Sequence, residues 1–214
     1  LCPLPIGKDT LKKDFPFSIL AAGVLLAMGA LSGEITRIDG IILLLLFALF
    51  LYMMIKSAIA ARNSAVSAEN EEIKNLPVWQ CALYIIGGIA AIAFGGKMVV
   101  ESASDIARHF GMSDNLIGMT IVALGTSLPE LVTSIVAARK NEMDMALGNV
   151  IGSNIFNILF VLGIAAAISP IGFTSANMID TAVLIASSLL VLIFCIPKRK
   201  LVRWNGISMV AVYA

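Results

Sequence analysis

The chain has 214 residues, of which 59% are hydrophobic and 14% are charged, and its mean hydropathy is +0.95. Soluble domains contain about one half apolar and about one quarter charged residues, so this composition excludes an ordinary soluble protein and indicates a chain that lies in a bilayer. The formal net charge of +1 gives no indication of a nucleic-acid partner. The three cysteines are too widely spaced for a metal-ligand motif, and we interpret them as small core residues.

Long apolar stretches follow one another from the N-terminus to the C-terminus. A membrane-spanning helix needs about 20 mainly apolar residues, and long runs without strand-like alternation are helical where they cross lipid. The sequence therefore predicts an all-α polytopic bundle of about six complete transmembrane helices and part of a seventh, which begins near Trp204. A turn at residues 170–172 separates the last two complete spans. The predicted spans cover residues 15–33, 40–55, 75–96 with a continuation toward His109, 115–138, 145–169 and 181–197.

Basic residues concentrate in alternate connections between the predicted spans. Most of the 15 Lys and Arg residues lie in the N-terminal segment or after the second, fourth and sixth spans, whereas the other connections contain only Arg37, Lys97 and Arg108. By the positive-inside rule, the N-terminus and the polar linker at residues 63–75 are predicted to be cytoplasmic. Because the chain lacks an initiator Met and its last apolar run is short, we expect it to be a piece of a longer protein.

A proline and a carboxylate interrupt the fourth predicted span, in the stretch GTSLPELVTS at residues 125–134. Pro129 cannot donate a hydrogen bond to the carbonyl of Gly125, and its ring crowds that carbonyl, so a kink or opening of the helix is predicted there. The carbonyl oxygens that this frees are expected to point into the bundle, where their lone pairs can serve a cation. The oxygens that we expect as ligands are the carbonyl of Ala123 and the hydroxyls of Thr126 and Ser127.

Glu130 follows Thr126 by one helical turn and is predicted to share its face. A carboxylate at that depth costs several kcal/mol on insertion scales, so it is either a protonated or ion-paired structural group or a functional ligand. No Lys or Arg is predicted at comparable depth to pair with it. Lys97 and Glu101, spaced i, i+4, are expected to pair at a helix end, and the alternative is that Glu101 steers cations toward the entrance of the site. We therefore favour the functional interpretation.

A second polar group lies in the fifth predicted span, in the stretch ALGNVIGSNIFNILFVLG. Asn149, Ser153 and Asn157 are spaced i, i+4, i+8 and form one polar stripe on an otherwise apolar helix. Such a stripe can serve only to join helices by hydrogen bonds. The functional alternative is that it faces Glu130 and completes a cage of oxygen ligands, which suits Ca²⁺ and Na⁺ and not zinc or copper.

The motifs GTSLPE and GSNIFN on consecutive helices resemble the α-repeat of the cation/Ca²⁺ exchanger superfamily, the sodium/calcium exchangers, over about residues 94–168. The resemblance implies an inverted-repeat fold of ten helices in two halves, each with one α-repeat, and cation sites between the repeats at the membrane midplane. Residues 1–62 would then be the last two helices of the first half, residues 63–75 the central linker, and residues 76–214 the second half with the second α-repeat and a truncated last helix. No other motif of this kind occurs in the chain, so we expect the first α-repeat to be missing and the chain alone to be unable to exchange ions.

The resemblance also implies a role for each candidate ligand. Glu130 would be the central ligand that bridges the Ca²⁺ and Na⁺ sites. Several members of the superfamily have Asp where this chain has Asn157, which leaves the charge count and the coupling stoichiometry open. The other implied ligands are the hydroxyl and carbonyl of Thr126, the hydroxyl of Ser127, the carbonyl of Ala123, Ser153 at a Na⁺ site and Asn157 opposite Glu130.

The predicted function is part of a secondary Na⁺/Ca²⁺ antiporter that works by alternating access around Glu130, in the plasma (inner) membrane of a bacterium or archaeon. Its expected partners are membrane lipid, the transported Ca²⁺ and Na⁺, and the missing first α-repeat, with no organic cofactor and no nucleic acid. The alternatives are coupling of Ca²⁺ to H⁺, since a buried Glu can titrate near neutral pH, and a non-transporting membrane subunit. An intramembrane serine protease would use Ser127, but His109 lies near a membrane end and is a poor base, so no enzyme activity is expected.

Overall fold

The computed structural model describes residues 4–5, 10–65, 77–196, 200–201 and 203–213. Within these described ranges, six helices are long and apolar enough to cross a membrane, and a shorter helix follows them near the C-terminus. The predicted all-α polytopic fold is therefore confirmed, and the chain is an integral membrane protein. The helices are α1 (Phe15–Ser32), α2 (Arg37–Ala65), α3 (Val78–His109), α4 (Asp114–Arg139), α5 (Met143–Ile168), α6 (Ser175–Cys195) and α7 (Arg203–Tyr213).

One helix start differs clearly from the predicted one. The α6 helix begins at Ser175 and not at the predicted residue 181, because Thr174 and Asn177 form a capping box at its N-terminus. The Thr174 N–H donates to Asn177 Oδ1 at 3.0 Å, and the Asn177 N–H donates to Thr174 Oγ1 at 3.5 Å. The predicted span was defined by apolar residues alone, so it did not include the polar residues that cap the helix and determine where it begins.

The predicted cytoplasmic linker at residues 63–75 lies mostly outside the described residues. Its described part, residues 63–65, forms the end of α2. The division of the chain at this linker and the cytoplasmic location of the N-terminus therefore stay predictions.

The described residues within 1–64 and 136–214 form one compact unit, the first unit. Its apolar core is built mainly by α1, α2 and α5, and α1 also packs along α6. The side chains of Leu43, Ile155 and Leu159 are fully buried in it. Short antiparallel strand pairs also join distant parts of this unit: β1 (Leu4–Pro5) pairs with β4 (Lys200–Leu201), and β2 (Glu34–Ile35) pairs with β3 (Ile171–Gly172), which lies in the predicted turn.

The α2 and α5 helices of the first unit come into backbone contact at a glycine. A Cβ placed on Gly40 would lie 2.5 Å from the backbone nitrogen of Ala167 and 2.7 Å from the carbonyl oxygen of Gly163. Small residues allow helices in a membrane to approach this closely and to gain van der Waals contact between their backbones. This contact fixes α5, which carries one group of predicted ligands, against the core of the unit.

The second unit comprises the described residues within 65–135, where α3 and the first part of α4 form a helical hairpin. Gly111 in the connecting turn has a φ of +83°, a left-handed conformation that glycine adopts at little cost. The Ser113 side chain caps the start of α4. The Arg108 guanidinium joins the two helix ends through a contact of 2.9 Å to Asp114 of α4, and it also contacts Asp105 of its own helix at 3.0 Å.

Candidate cation site

The α4 helix departs from regular geometry twice within its 26 residues. A π-helical turn occupies Gly118–Val122, and Ser127 then separates Ala123–Thr126 from Leu128–Arg139. The Ser127 N–H donates to the Leu124 carbonyl at 3.1 Å, the tighter hydrogen bond of a 3₁₀ turn. Pro129 has no N–H to donate to the Gly125 carbonyl. The predicted interruption is thus confirmed, whereas the π-helical turn before it was missed by the sequence analysis.

The predicted ligands of α4 with neutral oxygens lie at this interruption. The Thr126 hydroxyl donates to the carbonyl of Ala123 at 2.8 Å, so these two oxygens lie side by side. Each oxygen has two lone pairs, and the hydrogen bond uses one of those on the carbonyl and none on the hydroxyl. Ala123, Thr126 and Ser127 are all exposed. A cation that reaches this part of the helix therefore meets exposed residues that carry hydroxyl and carbonyl oxygens.

Glu130 lies in the first helical turn after the interruption. The residue is half-buried, and its Oε2 atom is buried from solvent. Because water does not surround that oxygen, an approaching cation is attracted by a carboxylate that is screened less than one in bulk water. The structure thus brings Ala123, Thr126, Ser127 and Glu130 together within about two turns of α4.

A cavity of about 370 Å³ lies between α3 and α4 within the second unit. Thr126 and Pro129 line it from α4, and Lys97 and Glu101 line it from α3. Lys97 Nζ lies 3.6 Å from Glu101 Oε1, so the predicted ion pair is confirmed. The predicted place of this pair at a helix end is wrong, because α3 continues to His109 and the pair lies in its interior. The expectation that no Lys or Arg lies at the depth of the candidate site is wrong for the same reason.

The α5 helix carries the second group of predicted ligands, within the first unit. It is α-helical over Met143–Ile155, π-helical over Phe156–Val161 and α-helical again over Leu162–Ile168. Asn149 and Ser153 are half-buried on the first segment, and Asn157 is exposed on the π-helical segment. The Ser153 hydroxyl donates to the carbonyl of Val150 at 3.0 Å. The hydroxyl of α5 therefore bonds to its own helix in the same way as that of Thr126.

The π-helical segment alters the predicted polar stripe. Its i→i+5 hydrogen bonding widens the helix, so Asn157 does not follow Ser153 by one regular α-helical turn. Phe156 and Phe160 stack there at 4.9 Å, and Phe47 of α2 contacts them at 5.8 Å and 5.1 Å between ring centroids. This cluster was not predicted from the sequence, although the i, i+4 spacing of two of its rings places them on one side of a helix.

The two groups of predicted ligands belong to different units, and the structure describes each group within its own unit. Their assembly into one cage of oxygens stays a prediction. Among the described residues, no group of three or more His, Cys, Asp or Glu is arranged to hold a metal ion. The candidate ligands are instead hydroxyl, carbonyl and amide oxygens together with one carboxylate, which is a set suited to hard cations.

Comparison with known proteins connects these helices to one family. Residues 81–214 match the family model described as sodium/calcium exchanger protein. The inner membrane protein YrbG of Escherichia coli is 38% identical over 78% of this chain and 53% of its own length. The sodium/calcium exchanger MaX1 of Methanosarcina acetivorans is 43% identical over 58% of this chain and 36% of its own length. The solved structure of the sodium/calcium exchanger from Methanococcus jannaschii has a TM-score of 0.75 and 33% identity, covering 99% of this chain and 65% of that one. This chain thus spans less than two thirds of each of these proteins.

Proposed function

This chain belongs to the sodium/calcium exchanger protein family, and from that premise we propose that it is part of a secondary active antiporter that moves Ca²⁺ across a membrane in exchange for Na⁺ by alternating access. The observation that carries the proposal is the interrupted α4 helix. Thr126 and Ser127 expose oxygens at the interruption, and Glu130 follows with one oxygen buried, all inside a 26-residue span. Two of the proteins that this chain is similar to are named sodium/calcium exchangers.

The chemistry of α4 supports a cation as the transported substrate. Carboxylate, hydroxyl and carbonyl oxygens are the ligands that Ca²⁺ prefers, and the same hard oxygens suit Na⁺. An ionised carboxylate inside a membrane span is costly, and a bound cation offsets that cost by replacing the lost water. Glu130 is therefore proposed to bind Ca²⁺ and Na⁺ in alternation, because both ions compete for the same negative charge.

The α5 helix is proposed to complete the site with Asn149, Ser153 and Asn157. These residues add amide and hydroxyl oxygens without adding charge, so Glu130 is the single carboxylate among the seven proposed ligands. Ca²⁺ takes six to eight oxygen ligands at about 2.3–2.6 Å. Because the seven proposed ligands are shared between the Ca²⁺ and Na⁺ sites, it is proposed that a first α-repeat in the same protein supplies the other ligands of each site. The protein is further proposed to lie in the inner membrane with its N-terminus in the cytoplasm.

The test is Ca²⁺ uptake by the full-length exchanger that contains this chain, reconstituted into vesicles loaded with Na⁺. Glu130→Gln is expected to abolish uptake, because the amide keeps the shape of the side chain but removes the charge that binds the cations. The control is Glu142→Gln, which makes the same chemical change at an exposed position between α4 and α5. Uptake by the control is expected to equal that of the wild type.

Full Na⁺-driven uptake by the Glu130→Gln variant would contradict the proposal. The same vesicles also distinguish the counter-ion. Uptake driven by a pH gradient in the absence of Na⁺, and lost in Glu130→Gln, would keep the site and replace Na⁺ by H⁺. Absence of uptake by the wild type, together with loss of assembly in Glu130→Ala, would favour the non-transporting structural role.

We also propose that the protein is not an enzyme. A serine protease would use Ser127 as its nucleophile, and a nucleophilic serine needs a nearby base. His109 is the last residue of α3, whereas Ser127 lies about 20 Å along α4 from the turn that joins the two helices. Labelling of Ser127 by a serine-reactive phosphonate would overturn this proposal.

A further inference from the structure

An ion pair lies in the interior of α3, level with the interruption in α4. Lys97 lies 12 residues before His109, the last residue of α3, and Thr126 lies 12 residues after Asp114, the first residue of α4. At 1.5 Å per residue, each residue is about 18 Å of helix away from the connecting turn. The two helices are joined by a short turn and pack against each other along this length. Lys97 and Thr126 therefore lie at the same level of the helical hairpin.

Close packing fixes the face of α3 that carries this pair. A Cβ placed on Gly125 would overlap the side chain of Val100, and one placed on Gly96 would lie 3.8 Å from the Pro129 ring. At these contacts α3 packs closely against the interruption in α4. Lys97 follows Gly96 directly and Glu101 follows Val100 directly, so both charged side chains flank the contact.

The pair faces open space and is not sealed in the helix contact. Its two side chains are 71% and 62% exposed, and both line the 370 Å³ cavity that Thr126 lines from the opposite wall. Charged residues inside membrane spans face either a partner or a water-filled cavity, and here the two charges pair with each other and line a cavity. A cation that enters this cavity therefore meets Glu101 before or together with the oxygens at the interruption.

We propose that the Lys97–Glu101 pair sets the cation affinity of this cavity. Glu101 attracts the entering metal ion, and Lys97 is a tethered cation that the metal ion must displace from the Glu101 carboxylate. The pair is thus a positioning element that tunes how tightly the neighbouring oxygens hold Ca²⁺ or Na⁺. This inference rests on the proposed function, because it assigns a role to residues beside the proposed Glu130 site.

The experiment compares three variants of the full-length exchanger by the KM for Ca²⁺ in Na⁺-driven uptake and by equilibrium dialysis with ⁴⁵Ca²⁺. Lys97→Gln is expected to lower both the KM and the Kd about tenfold, since a unit charge about 10 Å from a divalent ion, at an effective dielectric constant near 50 for such exposed side chains, changes a binding constant by roughly that factor. Glu101→Gln is expected to raise both about tenfold. The double variant is expected to return within about threefold of the wild type, because the two charge changes cancel.

Two controls separate this role from a structural one. Lys97→Arg keeps the charge and is expected to keep the wild-type KM, and Lys140→Gln makes the same change as Lys97→Gln at an exposed site after α4. A pair that only stabilises the hairpin would lower the folded yield of both single variants without moving the KM in opposite directions. That result, or an unchanged Kd in Lys97→Gln, would overturn the inference.

The two proposals fail in distinguishable ways. Ca²⁺ binding and exchange that disappear in Glu130→Gln but are unaffected by Lys97→Gln would leave the proposed function standing and remove only the role of the pair. Opposite shifts of the Kd in the two single variants, without Na⁺-driven exchange by the wild type, would support the pair and contradict the proposed counter-ion. A wild-type protein that binds no Ca²⁺ would overturn both.

Discussion

The two helices that carry the candidate ligands each meet a neighbouring helix at a glycine, but different groups lie opposite the two glycines. Gly125 of α4 faces the side chain of Val100, which can rotate or be shortened. Gly40 of α2 faces the backbone of α5 at Ala167 and Gly163, which can do neither. A tight contact against a side chain can relax locally, whereas one against backbone moves a whole helix. The same substitution should therefore have different consequences in the two units.

The largest effect is expected for Gly40→Ala. The added methyl group has no side chain to displace, so α2 and α5 must separate and the core of the first unit must open. We expect a stability loss of about 3 kcal/mol, the upper end of typical overpacking. The measurement is thermal unfolding of the detergent-solubilised full-length protein together with its folded yield.

Gly23→Ala in α1 is the matched control for this prediction. Apart from the backbone of its own helix and its chain neighbours, no atom of the described residues lies within 4 Å of a Cβ at Gly23, so the methyl group has room there. Alanine is also preferred to glycine inside a helix by about 1 kcal/mol. We expect unchanged or higher stability for the control. Equal unfolding temperatures for the two variants would show that α2 and α5 do not depend on backbone contact at Gly40.

Gly125→Ala is expected to have a smaller and reversible effect. The methyl group would overlap the Val100 side chain, and the strain should cost about 1–3 kcal/mol and slow exchange by moving the interruption away from α3. Val100→Ala in the same protein should restore most of the loss, because the neighbour is shortened by the atoms that clash. The measurements are the unfolding temperature and the rate of Na⁺-driven Ca²⁺ uptake.

Gly118→Ala serves as the control within α4, since among the described residues no atom outside its own helix backbone and chain neighbours lies within 4 Å of its Cβ position. It is expected to leave both measurements unchanged. If Val100→Ala failed to rescue Gly125→Ala, the contrast between side-chain and backbone contacts would be lost. The close approach at Gly125 would then have to involve a group other than Val100.

A related distinction, between covalent properties of a residue and packing between distant residues, explains which parts of the site were predictable from the sequence. The interruption of α4 follows from Pro129, because a missing N–H is a covalent property that no neighbour can restore. The π-helical segment of α5 contains no proline, and it differs from an α-helix only by a one-residue shift in hydrogen bonding. Packing decides whether an α-helical or a π-helical segment forms here. Part of that packing comes from Phe47, which contacts Phe156 and Phe160 but lies far from them in the sequence.

The depth of Lys97 shows a second limit. The apolar run at residues 75–96 is already long enough to span a bilayer, so the charged residues that follow it were placed at a helix end. In the structure α3 has 32 residues, and α4 packs against the C-terminal part of α3. This packing brings Lys97 level with Thr126. Helix length was thus predictable from the sequence, whereas the register between two helices depends on contacts such as Gly96 with Pro129.

The smallest effects are expected for removal of one hydroxyl from either helix. The Thr126 and Ser153 hydroxyls each donate to the carbonyl three residues earlier, at 2.8 Å and 3.0 Å. If both are Na⁺ ligands, Thr126→Ala and Ser153→Ala should each weaken Na⁺ binding by about 1 kcal/mol, the typical net value of one hydrogen-bonding group. That corresponds to an increase of about fivefold in the Na⁺ concentration for half-maximal exchange.

Thr126→Ser and Ser153→Thr keep the hydroxyl and are expected to stay within about twofold of the wild type. The comparison of the four variants then reports on the hydroxyl oxygens and not on side-chain volume. A shift in Thr126→Ala without one in Ser153→Ala would restrict the Na⁺ site to α4. Because the two hydroxyls have the same hydrogen-bond geometry on their own helices, such a difference would have to come from the surroundings of α5, where the helix widens before Asn157.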